Sequence, residues 1–362
     1  MTSTYLTNHL SAVVALAAQT LDSPPDDVKF DKVTGDASTR EYFRARIGNR
    51  SVIAVLYSEP FDERISAVER LAELEISNPA ARLTFANDPR AHIETTSLFL
   101  EAGVPVPRIV GVSGDEGALL LEDVGDTRLQ DWLSSKTNEQ VVAAYRRALE
   151  VLIQIQDATR FVLERHSICS VLEFDEAKLR WELGFFFANY VNKHLRLKLS
   201  PAMANSVQAE FKELCSELAS RPRVFTHRDY HARNLMIKDE EMFVIDFQDA
   251  RMGPTSYDVA SLLSDPYSPL DRASADQLTR EFVEMKSRSK LPIEDLRDFE
   301  IELQLMTVQR MLKVIGTYAS QAVAGNPIYL PYIAPAKERA LSALAALNRF
   351  SAIRSLLESA ER

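Results

Sequence analysis

The sequence is poor in glycine and cysteine. Glycine occurs 11 times in 362 residues, which is roughly half the usual share of about 7%. Because turn-rich β-barrels and sandwiches need many glycines, this scarcity argues against them and favours a helix-rich fold. The two cysteines, Cys169 and Cys215, form no CxxC pair and have no metal-ligand spacing. We therefore expect reduced, buried thiols and a cytoplasmic protein.

Long apolar runs are also missing. No segment approaches the roughly 18 uncharged apolar residues of a membrane-spanning helix, so we expect no membrane span. The segment LSAVVALAAQTL at 10–21 resembles a signal-peptide core, but no Lys or Arg precedes it. Because Val13, Leu16, Ala17 and Leu21 fit one helix face, we interpret this segment as an amphipathic helix.

An excess of positive charge is absent as well. The formal net charge is −10, and contacts to nucleic-acid phosphates need a basic face. We therefore expect no nucleic-acid partner. The sequence leaves the oligomeric state open.

The arrangement of apolar residues divides the chain into a β-rich third and a helix-rich remainder. Strand-like patterns dominate 27–58, where Gly48-Asn49 joins two runs, and helical periodicity dominates 127–222 and 257–360. We predict an α+β fold with two lobes. The smaller, β-rich lobe spans 1–124 and ends in a hinge, and the larger, helical lobe spans 125–362.

A dense polar segment, HRDYHARN at 227–234, stands shortly before the apolar run MFVIDF, which contains Asp246. Asp229 could accept a proton from a substrate hydroxyl. Asn234 and Asp246 supply the oxygen ligands that Mg²⁺ prefers. A carboxylate buried in an apolar strand costs several kcal/mol unless another charge offsets it. The pattern therefore predicts a metal ion at Asp246.

These motifs resemble those of kinases. HRDYHARN is similar to the kinase pattern H-R-D-x-x-x-x-N, and IDFQD stands where kinases carry D-F-G. The segment GPTSYDVASLL and the helical insert at 127–222 look like the aminoglycoside phosphotransferase and choline kinase superfamily. Together with STREYFR and VQRMLKVIGTYA, they most resemble the bacterial N-acetylmuramate/N-acetylglucosamine anomeric kinases of cell-wall recycling.

The resemblance implies a protein-kinase-like fold that uses ATP and Mg²⁺ to phosphorylate a sugar's anomeric hydroxyl. It makes the N-terminal lobe the nucleotide-binding lobe and the C-terminal lobe the catalytic and substrate lobe. Asp229 would be the base, and Asn234 and Asp246 would be the Mg²⁺ ligands. The backbone of the hinge would bind adenine. The hinge residues are Glu122, Asp123 and Val124.

Two further expectations concern carboxylates that the resemblance places near these motifs. Asp258 would pair with the predicted catalytic loop, HRDYHARN at 227–234, most naturally through Arg228. Glu94 stands where the family often has the partner of a third-strand lysine. Without that lysine the role is in doubt, and the alternative is a solvated side chain.

The chain departs from the kinase pattern at the phosphate-binding elements. The third strand, within SVIAVLYSEP, has no lysine, and the loop VTGDASTREYFR has a single glycine. We expect Ser38 and Thr39 to donate hydrogen bonds to phosphate and Arg40 to supply the missing positive charge, with Arg44 as the alternative. Arginines on a solvated strand face are the opposing interpretation.

The acceptor is expected to lie over Asp229. In the segment 305–315, Leu305, Val308, Leu312 and Ile315 form a core-facing stripe, and Lys313 lies off that stripe. Six polar residues are candidates for substrate contacts, although each could instead be solvated at the surface. They are His231, Arg233, Asp249, Asp265, Gln309 and Arg310.

Two rival functions remain at this point. One is a kinase for an aminoglycoside, choline, ethanolamine or homoserine. A choline site would need an aromatic cage, and although Phe185–Phe187 could contribute, their spacing is more typical of core. The other is a pseudokinase that binds nucleotide without turnover. The missing lysine is its one support.

Overall fold

The computed structural model describes residues 2–33 and 40–359. The chain divides into two compact units. We call them the N-terminal unit, comprising Met1–Thr127, His166–Ile168 and Met236–Asp249, and the C-terminal unit, comprising Arg128–Arg165, Cys169–Leu235 and Ala250–Arg362. The expected contrast between a β-rich beginning and a helical remainder is confirmed.

An antiparallel sheet of five strands forms the centre of the N-terminal unit, in the order β1-β2-β3-β5-β4. Gly48 takes a positive φ of 56° in the turn between the second and third strands, as the sequence predicted. The strands are β1 Lys29–Val33, β2 Glu41–Ile47, β3 Arg50–Leu56, β4 Ile109–Ser113 and β5 Ala118–Glu122.

The first helix, α1 (Thr2–Thr20), covers one face of this sheet. Its Val13 and Ala17 are fully buried, and Leu21 just beyond its end joins them in a core with Val52 and Leu120. The amphipathic helix predicted for this segment is therefore confirmed. Burying these apolar groups supplies the main favourable free energy for docking the helix.

Two more helices complete this part of the chain, α2 (Ala67–Ser77) and α3 (Pro89–Glu101). The side chain of Glu94 on α3 accepts hydrogen bonds from the backbone N–H of Ala67 (2.7 Å) and of Ile168 (3.0 Å). Because the first N–H groups of a helix lack partners within it, an acceptor there stabilises the helix start. Glu94 is thus a structural acceptor, which neither expectation for it anticipated.

A late hairpin belongs to the N-terminal unit although it lies more than a hundred residues further along the chain. Its strands are β7 (Leu235–Lys238) and β8 (Glu241–Val244), which form a two-stranded sheet. The Val244 N–H donates to the Pro105 carbonyl, and Lys238 Nζ donates to the Asp123 carbonyl at 2.8 Å. These bonds fix the start of the IDFQD segment within this unit.

The C-terminal unit is mainly helical, with one two-stranded ribbon of β6 (Arg223–Thr226) and β9 (Arg251–Pro254). A π-helical stretch, Phe187–His194, follows α8. The helices from here on are α4 Leu129–Leu133, α5 Asn138–Asp157, α6 Thr159–Glu164, α7 Ile168–Val171, α8 Glu176–Phe186, α9 Pro201–Ala219, α10 Ser256–Leu263, α11 Arg272–Lys286, α12 Leu296–Val323, α13 Ile333–Leu347 and α14 Ser351–Ser359. The α7 helix begins at Ile168, the last residue of the short segment His166–Ile168 that belongs to the N-terminal unit.

Close packing between α8 and α12 sets the position of the polar side chains described below. A Cβ added at Gly316 of α12 would come within 2.6 Å of the Phe186 Cα, so glycine permits the approach of the two backbones. The expected stripe of α12 is confirmed, because Leu305, Val308, Leu312 and Ile315 are all fully buried.

Two expectations from composition can be compared with the structure. Cys169 and Cys215 are free and buried, as predicted. Across residues 2–33 and 40–359, no helix has both the length and the apolar character needed to cross a lipid bilayer.

Candidate active site

The predicted catalytic loop, residues 227–234, follows directly from β6 in the C-terminal unit. Arg228 has a φ of 85°, an uncommon conformation for a residue with a side chain and one that clusters at functional sites. The fully buried carboxylate of Asp258 accepts hydrogen bonds from the backbone N–H groups of His227 (2.7 Å) and Arg228 (3.0 Å). Asp258 therefore holds the loop as expected, through the backbone N–H groups of His227 and Arg228.

Asn234 is fixed by two hydrogen bonds that it donates to the backbone of the loop. Its Nδ2 donates to the Asp229 carbonyl at 2.9 Å, and its backbone N–H donates to the His231 carbonyl at 2.8 Å. An amide whose nitrogen is engaged in this way leaves its oxygen as an acceptor. The side chain thus has the chemistry that a hard cation needs from a ligand.

The Asp229 carboxylate lies among cations. Its Oδ1 is 2.7 Å from Lys313 Nζ and 3.3 Å from an Arg310 nitrogen, and its Oδ2 is 3.7 Å from Arg228. Burial by itself would raise the pKa of Asp229, but Lys313, Arg228 and Arg310 hold that pKa well below its usual range. Asp229 is consequently an ionised acceptor at neutral pH.

A buried layer supports these cations from α8. Glu182 is 3.5 Å from an Arg228 nitrogen and accepts a hydrogen bond from Gln309 at 2.8 Å. Lys178, one turn earlier, lies 4.0 Å from Glu182. The sequence interpretation did not include Lys178 or Glu182. One sequence feature could have indicated their burial. Lys178 and Glu182 form an i,i+4 pair, and each directly precedes an apolar position of the helix, Leu179 or Leu183.

Burial changes the protonation of this layer. Desolvation, together with the charge of Arg228, lowers the pKa of Lys178 to about 7. Desolvation also opposes the charge on Lys313, whose pKa is lowered although Asp229 acts in the opposite direction. Both lysines are therefore easier to deprotonate than a lysine exposed to solvent.

The remaining substrate candidates separate into three places. Gln309 and Arg310 are buried members of the network around Asp229. His231 and Arg233 lie by Tyr267, with the Arg233 guanidinium carbon 4.7 Å from the ring centre. Asp249 is buried and belongs to the N-terminal unit. Substrate contact by each of them stays a prediction.

Asp265 has the most distinctive surroundings of these candidates. It is almost fully buried, one carboxylate oxygen accepts the Tyr267 N–H at 3.1 Å, and Oδ2 has no hydrogen-bond partner within the described residues. Burial raises the pKa of Asp265 to about 7. Around it, Tyr267, Tyr318 and Tyr332 form ring contacts with one another. A buried acceptor beside aromatic rings is a common feature of ligand sites.

Asp246 lies in the N-terminal unit. Its surroundings show that the expected burial within a strand was wrong. The strand β8 ends at Val244, so Asp246 stands in the segment after the strand, with 43% of its side chain exposed. It was expected to be buried within an apolar strand. Its backbone φ of 62° departs from strand geometry, and the turn directs the carboxylate outward while Phe247 packs against Phe99.

Arg40 is the arginine of the first hairpin that approaches Asp246. One of its nitrogens is 3.4 Å from Asp246 Oδ1, and its side chain is nearly buried. Burial alone would lower the pKa of Arg40, but Tyr42, Asp246 and Tyr57 raise it, so the cation is retained. The Tyr57 hydroxyl, one residue beyond β3, also lies 2.9 Å from His92 Nδ1 on α3.

Arg44 is engaged elsewhere. Its guanidinium contacts the carboxylates of Asp123 (2.7 Å) and Asp126 (2.7 Å). Asp123 also accepts from the Ser51 hydroxyl and the Gly125 N–H. Because two carboxylates already offset the charge of Arg44, Arg40 is the better candidate for phosphate contact.

The other predicted nucleotide contacts are described in part. In the hinge, the Glu122 N–H donates to the Arg108 carbonyl, and the Asp123 carbonyl accepts from Lys238. Adenine binding by the backbone of Glu122, Asp123 and Val124 stays a prediction. Ser38 and Thr39 lie outside the described residues.

The predicted metal ligands fall in different units, Asn234 in the C-terminal unit and Asp246 in the N-terminal unit. Their pairing around Mg²⁺ stays a prediction. In the described ranges, no group of three or more His, Cys, Asp or Glu side chains could hold a metal ion. The Asn–Asp pair was proposed on different chemistry, because Mg²⁺ takes few protein ligands and fills its other positions with water and phosphate.

Comparison with known proteins identifies the family. The model of the phosphotransferase enzyme family matches residues 33–292. The chain belongs to this family. The N-acetylmuramate/N-acetylglucosamine kinase of Pseudomonas aeruginosa is 32% identical over 304 residues, covering 82% of this chain and 78% of that protein. The protein of the same name from Neisseria meningitidis is 27% identical over 301 residues, covering 82% and 79%.

Among solved structures, this chain is similar to the choline kinase of Streptococcus pneumoniae. The TM-score is 0.57 at 13% identity, and the match covers 93% of this chain and 99% of that one. At this identity the likeness shows the fold alone. The predicted α+β, protein-kinase-like fold is confirmed.

Proposed function

We propose that the protein is an ATP- and Mg²⁺-dependent kinase that phosphorylates the anomeric hydroxyl of an amino sugar, N-acetylmuramate or N-acetylglucosamine. Membership of the phosphotransferase family supports the reaction class. The names of the two relatives support the acceptor. The reaction places the protein where a free reducing amino sugar is supplied, as in cell-wall recycling. Reduced, buried cysteines and the use of ATP support a cytoplasmic location.

The observation that carries the proposal is the arrangement of the catalytic loop. Asp258 fixes the backbone of His227 and Arg228, and Asn234 is tied to the carbonyl of Asp229. The loop therefore presents a positioned carboxylate and a positioned amide oxygen, as phosphoryl transfer requires. A chain that merely bound nucleotide would have no need for both.

Asp229 is suited to orienting the hydroxyl of the sugar. Because its pKa is held well below the usual range, it accepts a hydrogen bond throughout the neutral range. Phosphoryl transfer passes through a loose transition state, so the hydroxyl proton can leave late, and positioning contributes more than basicity.

The residues present fit ATP and Mg²⁺ on the chemistry of their donors. Asn234 and Asp246 would hold the metal ion, and Arg40 would contact phosphate. Magnesium would neutralise charge on the transferred phosphoryl group. Asp246 is exposed, and its Oδ1 is held by Gln248 at 2.9 Å, which orients the carboxylate before any ligand binds.

The surroundings of Asp229 argue against cationic acceptors. Three cations contact this carboxylate, namely Arg228, Arg310 and Lys313. A fourth, Lys178, lies next to Glu182 in the buried layer behind them. Choline and aminoglycosides carry positive charge and would be repelled. A neutral or acidic sugar would not be.

An acceptor screen tests the proposal. The protein is incubated with Mg²⁺–ATP and N-acetylmuramate, N-acetylglucosamine, choline or kanamycin, and ADP release is measured. We expect turnover with the two amino sugars. Turnover with choline or kanamycin and with neither sugar would show that the proposed acceptor is wrong. Nucleotide binding without turnover on any of the four acceptors would favour a pseudokinase.

The nucleotide contact of Arg40 leads to a prediction. We expect Arg40→Ala to raise the KM for ATP and lower kcat, with sugar affinity nearly unchanged. Losing charge-assisted hydrogen bonds costs about 1.5–3 kcal/mol, or roughly 10- to 100-fold in ATP affinity. Arg40→Lys should restore part of the loss, because an ammonium cannot bind two phosphate oxygens in the arginine geometry.

The matched control is Arg46→Ala, which removes an exposed arginine from the same hairpin. Steady-state kinetics with varied ATP are combined with calorimetry of ADP and adenosine binding. Arg40→Ala should weaken ADP and leave adenosine unchanged. Equal ADP affinity in Arg40→Ala and the native protein would remove Arg40 from the phosphate site.

A further inference from the structure

Asp229 stands at the edge of a charge network that contains more cations than acids. Lys178 and Glu182 come from α8, Arg228 and Asp229 from the catalytic loop, and Arg310 and Lys313 from α12. Four positive groups thus surround the carboxylates of Glu182 and Asp229.

Asp258 does not remove the imbalance. Its carboxylate also lies near Arg310, but it accepts two backbone N–H groups, and burial raises its pKa to about 7. With both Lys178 and Asp258 neutral, the cations of Arg228, Arg310 and Lys313 still outnumber the two carboxylates of Glu182 and Asp229. The lowered pKa of Lys178 follows from this crowding as well as from burial.

An excess of positive charge is costly where water is excluded, so an anion bound from solution would stabilise the network. The inner members are shielded, with 2% of the side chain exposed for Lys178 and Arg310 and 1% for Glu182. The outer members are accessible, with 14% exposed for Lys313 and 17% for Arg228. An incoming anion therefore meets Lys313 and Arg228 first.

Lys313 also has donors to spare. An ammonium carries three N–H donors, and Asp229 is the one hydrogen-bond acceptor recorded for Lys313 Nζ among the described residues. Lys313 Nζ is 2.7 Å from Asp229 Oδ1, and Asp229 would orient the reacting hydroxyl. An anion bound to Lys313 would therefore be close enough to that hydroxyl to belong to the same sugar molecule.

We infer that Lys313, with Arg228 beside it, binds the carboxylate of an acidic amino sugar while Asp229 orients the hydroxyl of the same molecule. The inference rests on the proposed function. N-acetylmuramate carries such a carboxylate on its lactyl ether, and N-acetylglucosamine lacks it. Lys313 is then the residue by which the site distinguishes the two sugars.

The test compares substrates that differ in one charge. The values of kcat/KM are measured for N-acetylmuramate, its neutral carboxamide and N-acetylglucosamine, at saturating ATP. We expect Lys313→Met to lower the acid-to-carboxamide ratio by about tenfold or more, since a charge-assisted bond is lost only for the acid. Lys313→Arg should keep most of the ratio. Lys212→Met, at an exposed position of α9, should keep all of it.

The ratio separates this role from the others that Lys313 could have. If Lys313 acted only on Asp229 or on the transferred phosphoryl group, all three sugars would lose activity equally, and the inference would be overturned. If the native protein phosphorylated none of the three sugars, the proposed function itself would fail.

A measurement on the native protein covers the case in which Lys313→Met does not fold. Calorimetry gives the dissociation constants of the acid and the carboxamide at about 50 and 500 mM KCl. We expect the acid to bind tighter at low salt and to lose that advantage at high salt. Equal affinity of the acid and the carboxamide at low salt would also overturn the inference.

Discussion

Asp229→Asn is expected to leave ATP binding nearly unchanged and to lower kcat by roughly 100- to 10,000-fold, the usual contribution of a positioned acid–base group. The substitution keeps the shape of the side chain and removes the charged acceptor for the sugar hydroxyl. An interaction needed mainly in the transition state reduces kcat and kcat/KM together. Steady-state kinetics and calorimetry of ADP binding measure the two effects.

Asp131→Asn is the control, since Asp131 is exposed on α4 of the same unit. The substitution at Asp229 also leaves Lys313, Arg310 and Arg228 without their shared partner. A thermal melt therefore accompanies the kinetics. A folded Asp229→Asn protein with weakened ADP binding and near-native kcat would move Asp229 out of the proposed role.

Asp246→Asn should lower turnover by about 100-fold or more, because metal clamping of the phosphates contributes several kcal/mol. The fold should be preserved. Asp246 is exposed and lies after β8 rather than within it, and the amide oxygen of Asn can still accept from Gln248. The substitution should weaken the binding of Mg²⁺ and nucleotide and leave the binding of the sugar unchanged.

The decisive readout for Asp246 is the Mg²⁺ dependence of ADP binding. In the native protein Mg²⁺ should tighten ADP, and in Asp246→Asn that gain should be largely lost. Asp115→Asn, at an exposed turn between β4 and β5, is the matched control. An Asp246→Asn protein in which Mg²⁺ still tightens ADP as in the native protein would show that the metal ligand lies elsewhere.

Much of the fold followed from local sequence patterns. The face formed by Val13 and Ala17 predicted α1, and Gly48 predicted the hairpin. The apolar spacing of Leu305 and Leu312 predicted the buried stripe of α12. These signals are local, because side-chain periodicity and turn chemistry are set within a few residues.

The parts that were missed depend on contacts between distant segments. Asp246 was placed inside a strand because the apolar run gives no sign of where β8 ends. Glu94 joins the starts of α2 and α7, whose N-termini are brought together by the fold. Lys178 resembles a surface residue by composition, yet it is buried next to Glu182. A single sequence does not encode such placement locally.

The network around Asp229 also explains why polar residues of α12 are buried. Gln309 and Arg310 lie off the apolar stripe and would be solvated on a surface helix. Here Gln309 donates to Glu182, and Arg310 packs 4.9 Å from the centre of the Tyr257 ring while it contacts Asp229. Their burial is tolerated because each finds charged or aromatic partners.

The proposed transfer of phosphate to the anomeric hydroxyl can be measured directly at the reducing end of the sugar. N-acetylmuramate is incubated with the native protein and Mg²⁺–ATP, and ADP and reducing sugar are measured together. Phosphorylation at C1 blocks ring opening, so the reducing sugar should fall by one equivalent for each ADP formed and return after phosphatase treatment. ADP formation with a phosphorylated sugar whose reducing end remains intact would show that a different hydroxyl is the acceptor and would rule out the proposed reaction.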